Sequence, residues 1–343
     1  MRRRWPAFIV LVAAAVGPGA RGAYHGGMHS RAACVCLLLF VATAARSTAA
    51  DVPRELVAFG APSADPLFAG GGAEAWDRDL RERGWILRHG GRWHLWYTGS
   101  NPDRDRVRRL GHATSPDGIN WQRAAGPLLP ERWIEDVCVA ATRSRAGETF
   151  LMVAEGEHDV AHLLLSRNLA SWRPCGPLDI RLTTGAAIPD GPRGTPTLWI
   201  DRGLVHLYYE RFDDGVWLAT SRDGRTFTNV SDEPVLACGP EAYDRHGIAI
   251  DQIVRFDGRW YAYYHSSPDP DRKTWQTCLA SSADLVHWEK WAGNPVLPVD
   301  PVHPKRSSAT LVHDGRRLRL YTTHPDVRVR FSVDPVAAER LRR

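Results

Sequence analysis

The stretch Gly84-Trp-Ile-Leu-Arg-His-Gly-Gly-Arg-Trp-His-Leu-Trp-Tyr97, followed by Ala113-Thr-Ser-Pro-Asp-Gly-Ile-Asn-Trp121, decides the fold. Its first part is an apolar strand, a polar Gly-Gly turn and a second apolar strand. Its second part is a strand ending in small residues, a tight Asp-Gly turn, and an aromatic that opens a further strand. Asp-Gly supplies the positive φ angles such a turn needs. Together the two parts spell four short strands joined by tight turns.

The pattern returns along the chain. Strand–turn–strand units recur at 139–154, 197–209, 253–264 and 311–321, and small-residue turns capped by an aromatic recur at 165–172, 219–227 and 280–288. Aligning the second strands puts Trp93, Phe150, Val205, Trp260 and Arg317 in register, spaced 55 to 57 residues apart. Four short strands per unit at a period of about 40–60 residues is the signature of a β-propeller. Five units fill residues 51–343, so the expected fold is all-β, a five-bladed β-propeller with four-stranded antiparallel blades in a single domain. The fifth unit shows only three strands, the last at 328–332. Residues 55–59 are expected to supply its missing outer strand and close the ring, removing exposed sheet edges. A pair of β-sandwiches is the alternative, and the even spacing argues against it.

Composition fits an ordered chain: 343 residues, 43% hydrophobic, with 14 Trp. The net charge of +5 invites a nucleic-acid reading until its location is checked. The first 50 residues hold six Arg and no acid, and without them 38 basic residues face 39 acidic ones. The basic excess is therefore local to that segment, and a polyanion partner is not expected.

Residues 1–50 read as a signal peptide. Arg2-Arg3-Arg4 precede one short apolar run at 7–16. A second candidate begins at Met28, which can serve as the start, with Arg31 ahead of the run 32–45 and small residues at 47–50. A basic start, a short apolar core and a small-residue exit mark a cleavable export signal. Both runs are short for a membrane span, so the mature chain is expected to be secreted or periplasmic, with no membrane attachment. A retained N-terminal anchor is the alternative. Cys34 and Cys36 leave with the signal. Cys138, Cys175, Cys238 and Cys278 remain, as buried thiols or as bridges.

Blade geometry turns the sequence into a site. The first and second strands of a blade run antiparallel nearest the axis. The start of one and the end of the other therefore lie on the same face of the disc. First-strand starts bring Glu82, Glu135, Asp136, Asp190 and Asp251; second-strand ends bring Glu155, Glu157, Glu210, Asp213 and His265. Thr98, Glu155, Glu210, His265 and Thr322 occupy one equivalent position. Crowding and burial raise one carboxyl pKa and leave another low, which yields an acid and a base at one pH. Cleavage of a glycosidic bond needs that split. Trp76, Trp85, Trp133, Trp217 and Tyr264 can stack on sugars; Arg81, Arg211 and His162 can bind hydroxyls or a carboxylate. HExxH, paired CxxC, EF-hand and GxSxG motifs are absent, so no metal or cofactor is called for beyond a structural ion on the axis. Asn229-Val-Ser231 is a glycosylation sequon.

The body resembles the five-bladed β-propeller glycoside hydrolases, the clan spanning families 43, 32, 68, 62 and 117. The motifs that carry this are His94-Leu-Trp-Tyr-Thr-Gly99, the 113–121 turn, Ala219-Thr-Ser-Arg-Asp-Gly224 and Asn294-Pro-Val-Leu297, within 54–333. The resemblance implies three acids in an axial funnel: an Asp base or nucleophile, a Glu proton donor, and an Asp that tunes the donor. By resemblance Asp136 is the inner-strand Asp, Glu155 or Glu210 the donor, and Glu82 stands where the base is expected. Asp251 lies on the blade that carries the acid in xylosidase-like members. The expected catalytic set is thus Asp136, Glu155, Glu210, Glu82 and Asp251. The expected substrate-binding set is Arg81, Trp85, His162, Arg211, Trp217 and His265. The expected activity is hydrolysis of plant or algal oligosaccharides or polysaccharides by a monomer. Its rivals are a non-catalytic carbohydrate-binding propeller, a sialidase and a glycoside phosphorylase.

Overall fold

The computed structural model describes residues 52–144 and 147–341. The signal-peptide reading, with Cys34 and Cys36, lies outside them. Five antiparallel sheets follow one another along the chain. The first holds β1 (Asp79–His89), β2 (Arg92–Ser100), β3 (Arg109–Ser115) and β4 (Gln122–Arg123) in that order. The second holds β5 (Glu135–Ser144), β6 (Gly147–Gly156), β7 (Val160–Ser166) and β8 (Arg173–Pro177). A short β9 (Asp179–Arg181) precedes the third, built from β10 (Gly194–Asp201), β11 (Leu204–Glu210), β12 (Gly215–Ser221), β13 (Thr226–Asn229) and β14 (Leu236–Ala237). The fourth holds β15 (Gly247–Phe256), β16 (Arg259–Ser267), β17 (Gln276–Ser282) and β18 (Trp288–Lys290), and the fifth β19 (Ser307–His313), β20 (Leu318–His324) and β21 (Arg328–Phe331). Inner strands touch in the cycle β1–β5–β10–β15–β19–β1, so the ring is closed. This is a five-bladed propeller.

The blades are not all four-stranded. Blade three gains β9, parallel to β13, and β14, paired with β12. Blade five keeps three strands and a looser fourth rung. That rung shares only Ala58 and Phe59 with the expected 55–59. Arg54–Leu56 form a 3₁₀ turn, and pairing with β21 runs from Ala58 to Phe68, through bonds such as Ser63 N to Val329 O (2.9 Å) and Leu67 N to Val327 O (2.8 Å). Pro62 and Pro66 have no N–H to donate, so the segment binds the edge in patches.

The small-residue turns are built alike. Ser115 Oγ accepts from Gly118 N, and Asp117 Oδ1 accepts from Ile119 N and Asn120 N. Ser166–Asn168, Ser221–Asp223 and Ser282–Asp284 repeat the arrangement. The aromatic that follows wedges between blades: Trp172 meets Trp96 edge-on at 5.8 Å, and Trp288 meets Tyr208 at 6.0 Å. Trp93, Phe150, Val205 and Trp260 each pair with the turn serine. In blade five the residue bonded to the equivalent Ser332 is Leu318, not Arg317. That one-residue slip exchanges the sheet faces. It moves the equivalent position from Thr322 to Thr323, both buried, and the next residue, His324, is the one that reaches the axis.

The four body cysteines are unpaired. Asn229 is buried and accepts a hydrogen bond from the Tyr209 hydroxyl (2.8 Å), so its sequon is not available to a glycan in the folded chain.

Candidate active site

The inner strands share a distortion. Register slips at Arg81/Trp85, Glu135/Cys138, Gly194/Thr197 and Ile250/Gln252 mark bulges near their starts. The bulged residues Glu82, Asp136 and Thr195 have φ of 49°, 47° and 42°, and Ser308 on β19 has 68°. Positive φ at non-glycine residues is strained, and bulges of this kind re-aim side chains beside functional sites. Here all four residues line one axial cavity of about 250 Å³.

Beneath the cavity lies Arg83, wholly buried. Its guanidinium donates to Asp136 O (2.7 Å), Pro196 O (2.6 Å), Ile250 O (2.8 Å) and Thr197 Oγ1 (2.5 Å). One side chain of blade one thus ties blades two, three and four. These carbonyls are the ones an axial ion would need, and Arg83 occupies them.

The acids converge above it. Carboxylate oxygens of Glu135, Asp136 and Glu155 lie within 4.8 Å of one another. Glu155 and Glu210 both close over Gly194, where a Cβ would clash with Glu210 Oε1 and sit 2.7 Å from Glu155 Oε2. Backbone amides position each: Arg83 N to Asp136 Oδ1 (2.8 Å), Thr195 N to Glu155 Oε2 (2.8 Å), Asp213 N to Glu210 Oε2 (2.7 Å). Burial outweighs those amides. It pushes Asp136 up to about 6, helped by Glu82, and Glu210 up to about 7, helped by Asp213. Burial and Asp136 push Glu155 well above the carboxylate range. Glu82 differs. Burial works against its charge, but Arg108, His324 and Arg81 together hold it below its ordinary value. Burial also raises Glu135, to about 8, although Arg108 and the Trp133 indole both bind it.

Blade four contributes a dyad. Asp251 is fully buried behind the cavity, with Oδ1 2.7 Å from His265 Nδ1 and Oδ2 accepting from Ala309 N (3.1 Å). Burial disfavours the imidazolium, yet Asp251 prevails and raises the His265 pKa. His265 faces the cavity beside Trp275; Asp251 positions it without lining the cavity.

Of the residues read from the sequence, Glu82, Asp136, Glu155, Glu210, Asp213, Arg81 and His265 come together here. Four do not. Trp85 is buried in the interblade core. His162 lies one register step away, against Gly156. Arg211 turns outward to the carbonyls of Pro189 and Asp190. Trp217 stacks on Tyr209 and donates to Asp232 O. They sit near the right strand ends, but side chains alternate across a strand, and these face the interior or the rim. Glu157 and Asp190 also fall outside the lining. Arg108, Lys305 and His324 line the cavity and have no motif of their own; aligning the fifth unit one residue later puts Thr323 at the equivalent position, one residue short of His324.

The split proton affinities set a stability trend. Unfolded carboxyls release protons near their ordinary 3.8 to 4.5, whereas Asp136, Glu210 and Glu135 hold theirs to about 6, 7 and 8. The folded chain binds more protons in that window, so stability falls as pH rises through it. His265, raised in the fold, acts in the same direction. His94, His112, His162, His206 and His324, held by burial below their ordinary value, act in the opposite direction, so the cluster is read from a difference. Relative to the wild type, Glu210→Gln is expected to gain melting temperature as pH rises from 5 to 8, and a difference independent of pH would refute a protonated Glu210.

No family model matches the chain. It is 28% identical over 145 residues to the 1,2-β-oligomannan phosphorylase of Thermoanaerobacter sp. (strain X514), covering 39% of this chain and 47% of that one. The chain thus spans about half the length of the curated relative it matches. Among solved structures, it is similar to a protein from glycoside hydrolase family 130, a family of mannoside phosphorylases that contains hydrolases targeting β-1,2-mannosidic linkages in Candida mannan. The TM-score is 0.62 at 16% identity, over 83% of this chain and 97% of that one. The catalytic domain of the Coprinopsis cinerea family 62 α-L-arabinofuranosidase gives 0.61 at 12% identity, over 84% and 100%. A glycosyl hydrolase from Bacteroides ovatus gives 0.59 at 17%, over 78% and 88%. Family 62 is among those the blade motifs imply; family 130 is not, and nothing singles out families 43 or 32. These likenesses establish the fold, a glycoside hydrolase-like five-bladed propeller.

Proposed function

We propose that this chain is a glycoside hydrolase that cleaves oligosaccharides in the axial cavity, with β-linked mannosides as its first candidate substrates. The observation that carries this is the convergence of Asp136, Glu155 and Glu210 on one cavity with different proton affinities. Asp136, ionised above about 6, serves as base; Glu210, protonated below about 7, serves as proton donor to the leaving oxygen. Glu155 stays neutral between them and donates a hydrogen bond to a sugar hydroxyl. The mannoside class rests on the names of the relatives. The pattern at 28–50 supports action outside the cytoplasm, and a monomer suffices because one ring holds every group.

Phosphorolysis is the second reading, because Arg81, Arg108, Lys305 and His324 line the same cavity and the curated relative is a phosphorylase. Hydrolysis is favoured over it. Glu82, held ionised by Arg108, and Asp136, ionised above about 6, already face these cations, and a phosphate dianion entering there meets their field. Incubation with β-1,2-mannobiose, with and without inorganic phosphate, decides the matter. Hydrolysis releases mannose at a rate indifferent to phosphate, with a bell-shaped kcat/KM peaking between pH 6 and 7. Mannose 1-phosphate formed only when phosphate is present would replace this reading with the second. No cleavage of any mannoside would remove the substrate class.

A further inference from the structure

A second cavity, of about 320 Å³, opens on blade one, lined by Trp76, Asn101, Arg104, Asp105, Arg109 and the 125–127 turn. Its volume is at the lower end of the ligand-pocket range of about 300–1,000 Å³. It lies where β1 and β3 start and β2 ends, which is the face that carries the axial cavity. The two are neighbours: Arg108 lines the axial cavity and the next residue, Arg109, lines this one.

Its walls combine an aromatic plane with fixed polar groups. Trp76 is half-buried, its ring stacked on Tyr97 (6.0 Å, 20° between planes) and pressed against Gly99. Trp76 lines the cavity, while Tyr97 and Gly99, which pack on its indole, do not. Asp105 grips Arg109 through both oxygens (2.7 and 2.9 Å), making a rigid planar pair. Arg104 is exposed and reaches only Glu74 O at 3.4 Å, so most of its donors are open to a ligand. Gly126 forms part of the wall, and a Cβ there would meet nothing within 4 Å.

We propose that this cavity is a distal sugar subsite, holding a residue of an oligosaccharide whose cleaved bond lies in the axial cavity. An indole face stacks on the apolar face of a pyranose, and the guanidinium groups donate to its hydroxyls. The inference rests on the glycan-cleaving reading and adds to it a substrate class: chains of several sugars in preference to disaccharides.

The test compares kcat/KM on β-1,2-mannohexaose and β-1,2-mannobiose, with calorimetric titration of the hexaose. The wild type is expected to favour the hexaose. Trp76→Ala removes the platform, and Gly126→Trp fills the cavity from a wall with room for it. Each is expected to lower the hexaose-to-biose ratio about tenfold, the scale of losing one aromatic anchor. A ratio unchanged by Gly126→Trp, in a protein that melts like the wild type, overturns the subsite and leaves the catalytic reading standing. If the wild type cleaves neither sugar, the catalytic reading fails and the titration judges the subsite alone. Hexaose binding weakened by Gly126→Trp keeps the subsite; binding absent or unaltered rejects it.

Discussion

Glu210→Gln and Asp136→Asn each lower kcat on a cleaved mannoside by about 10²–10⁴-fold, the range expected for loss of a positioned proton donor or base. Neither lowers the melting temperature at pH 7. Both carboxyls are held against burial with raised proton affinity, so an amide of the same shape removes an unfavourable ionisation. The amide keeps the oxygen that accepts from Arg83 N or Asp213 N. Glu155→Gln separates the two candidate donors. Glu155 is neutral at working pH, so glutamine imitates it and the loss is far smaller. Steady-state kinetics on the three variants checks this. A collapse in Glu155→Gln with activity retained in Glu210→Gln exchanges their roles. Full activity in all three means that the cavity has no hydrolytic centre.

Arg83→Met destabilises the fold by about 3–5 kcal/mol, as expected when several buried acceptors lose a charged donor at once. The guanidinium feeds carbonyls from three other blades, and methionine leaves those acceptors buried and unpaired. It also takes a cation away from beneath the acids, which raises the Asp136 proton affinity further. Arg83→Lys recovers only part of the loss, since an ammonium cannot reach several blades at once. Thermal melts read both variants. A melting temperature for Arg83→Met within about a degree of the wild type would show that the axial bonds hold nothing.

The blades were legible because their signals are local and repeated. A turn serine with its Asp or Asn, a Gly-rich hairpin and an aromatic wedge each sit within ten residues, and five copies correct one another's ambiguities. The last rung was less legible. Residues 58–68 have no alternation, because two prolines break the ladder, and only the partner edge dictates the path. The acids could be placed near the axis from strand order alone. Which of their neighbours turn inward depends on bulges, and a bulge leaves no mark at a Glu, Asp or Thr that would elsewhere take negative φ. Arg211 sits one step from Glu210, which does face the cavity, and nothing in the sequence tells the two apart. Arg108 was invisible for another reason: it lies just ahead of a third strand, outside the strand ends that blade order places at the axis.

The bulges carry one further consequence. Each lets the ladder resume on either side whatever the residue at its apex, so the apex side chain is uncoupled from the hydrogen bonds that build the sheet. Glu82, Asp136 and Thr195 are in this sense interchangeable fittings on a standing frame, each held at a backbone strain of about 1–3 kcal/mol. A lineage built on this ring can therefore exchange its reagents one at a time without rebuilding the wheel that carries them.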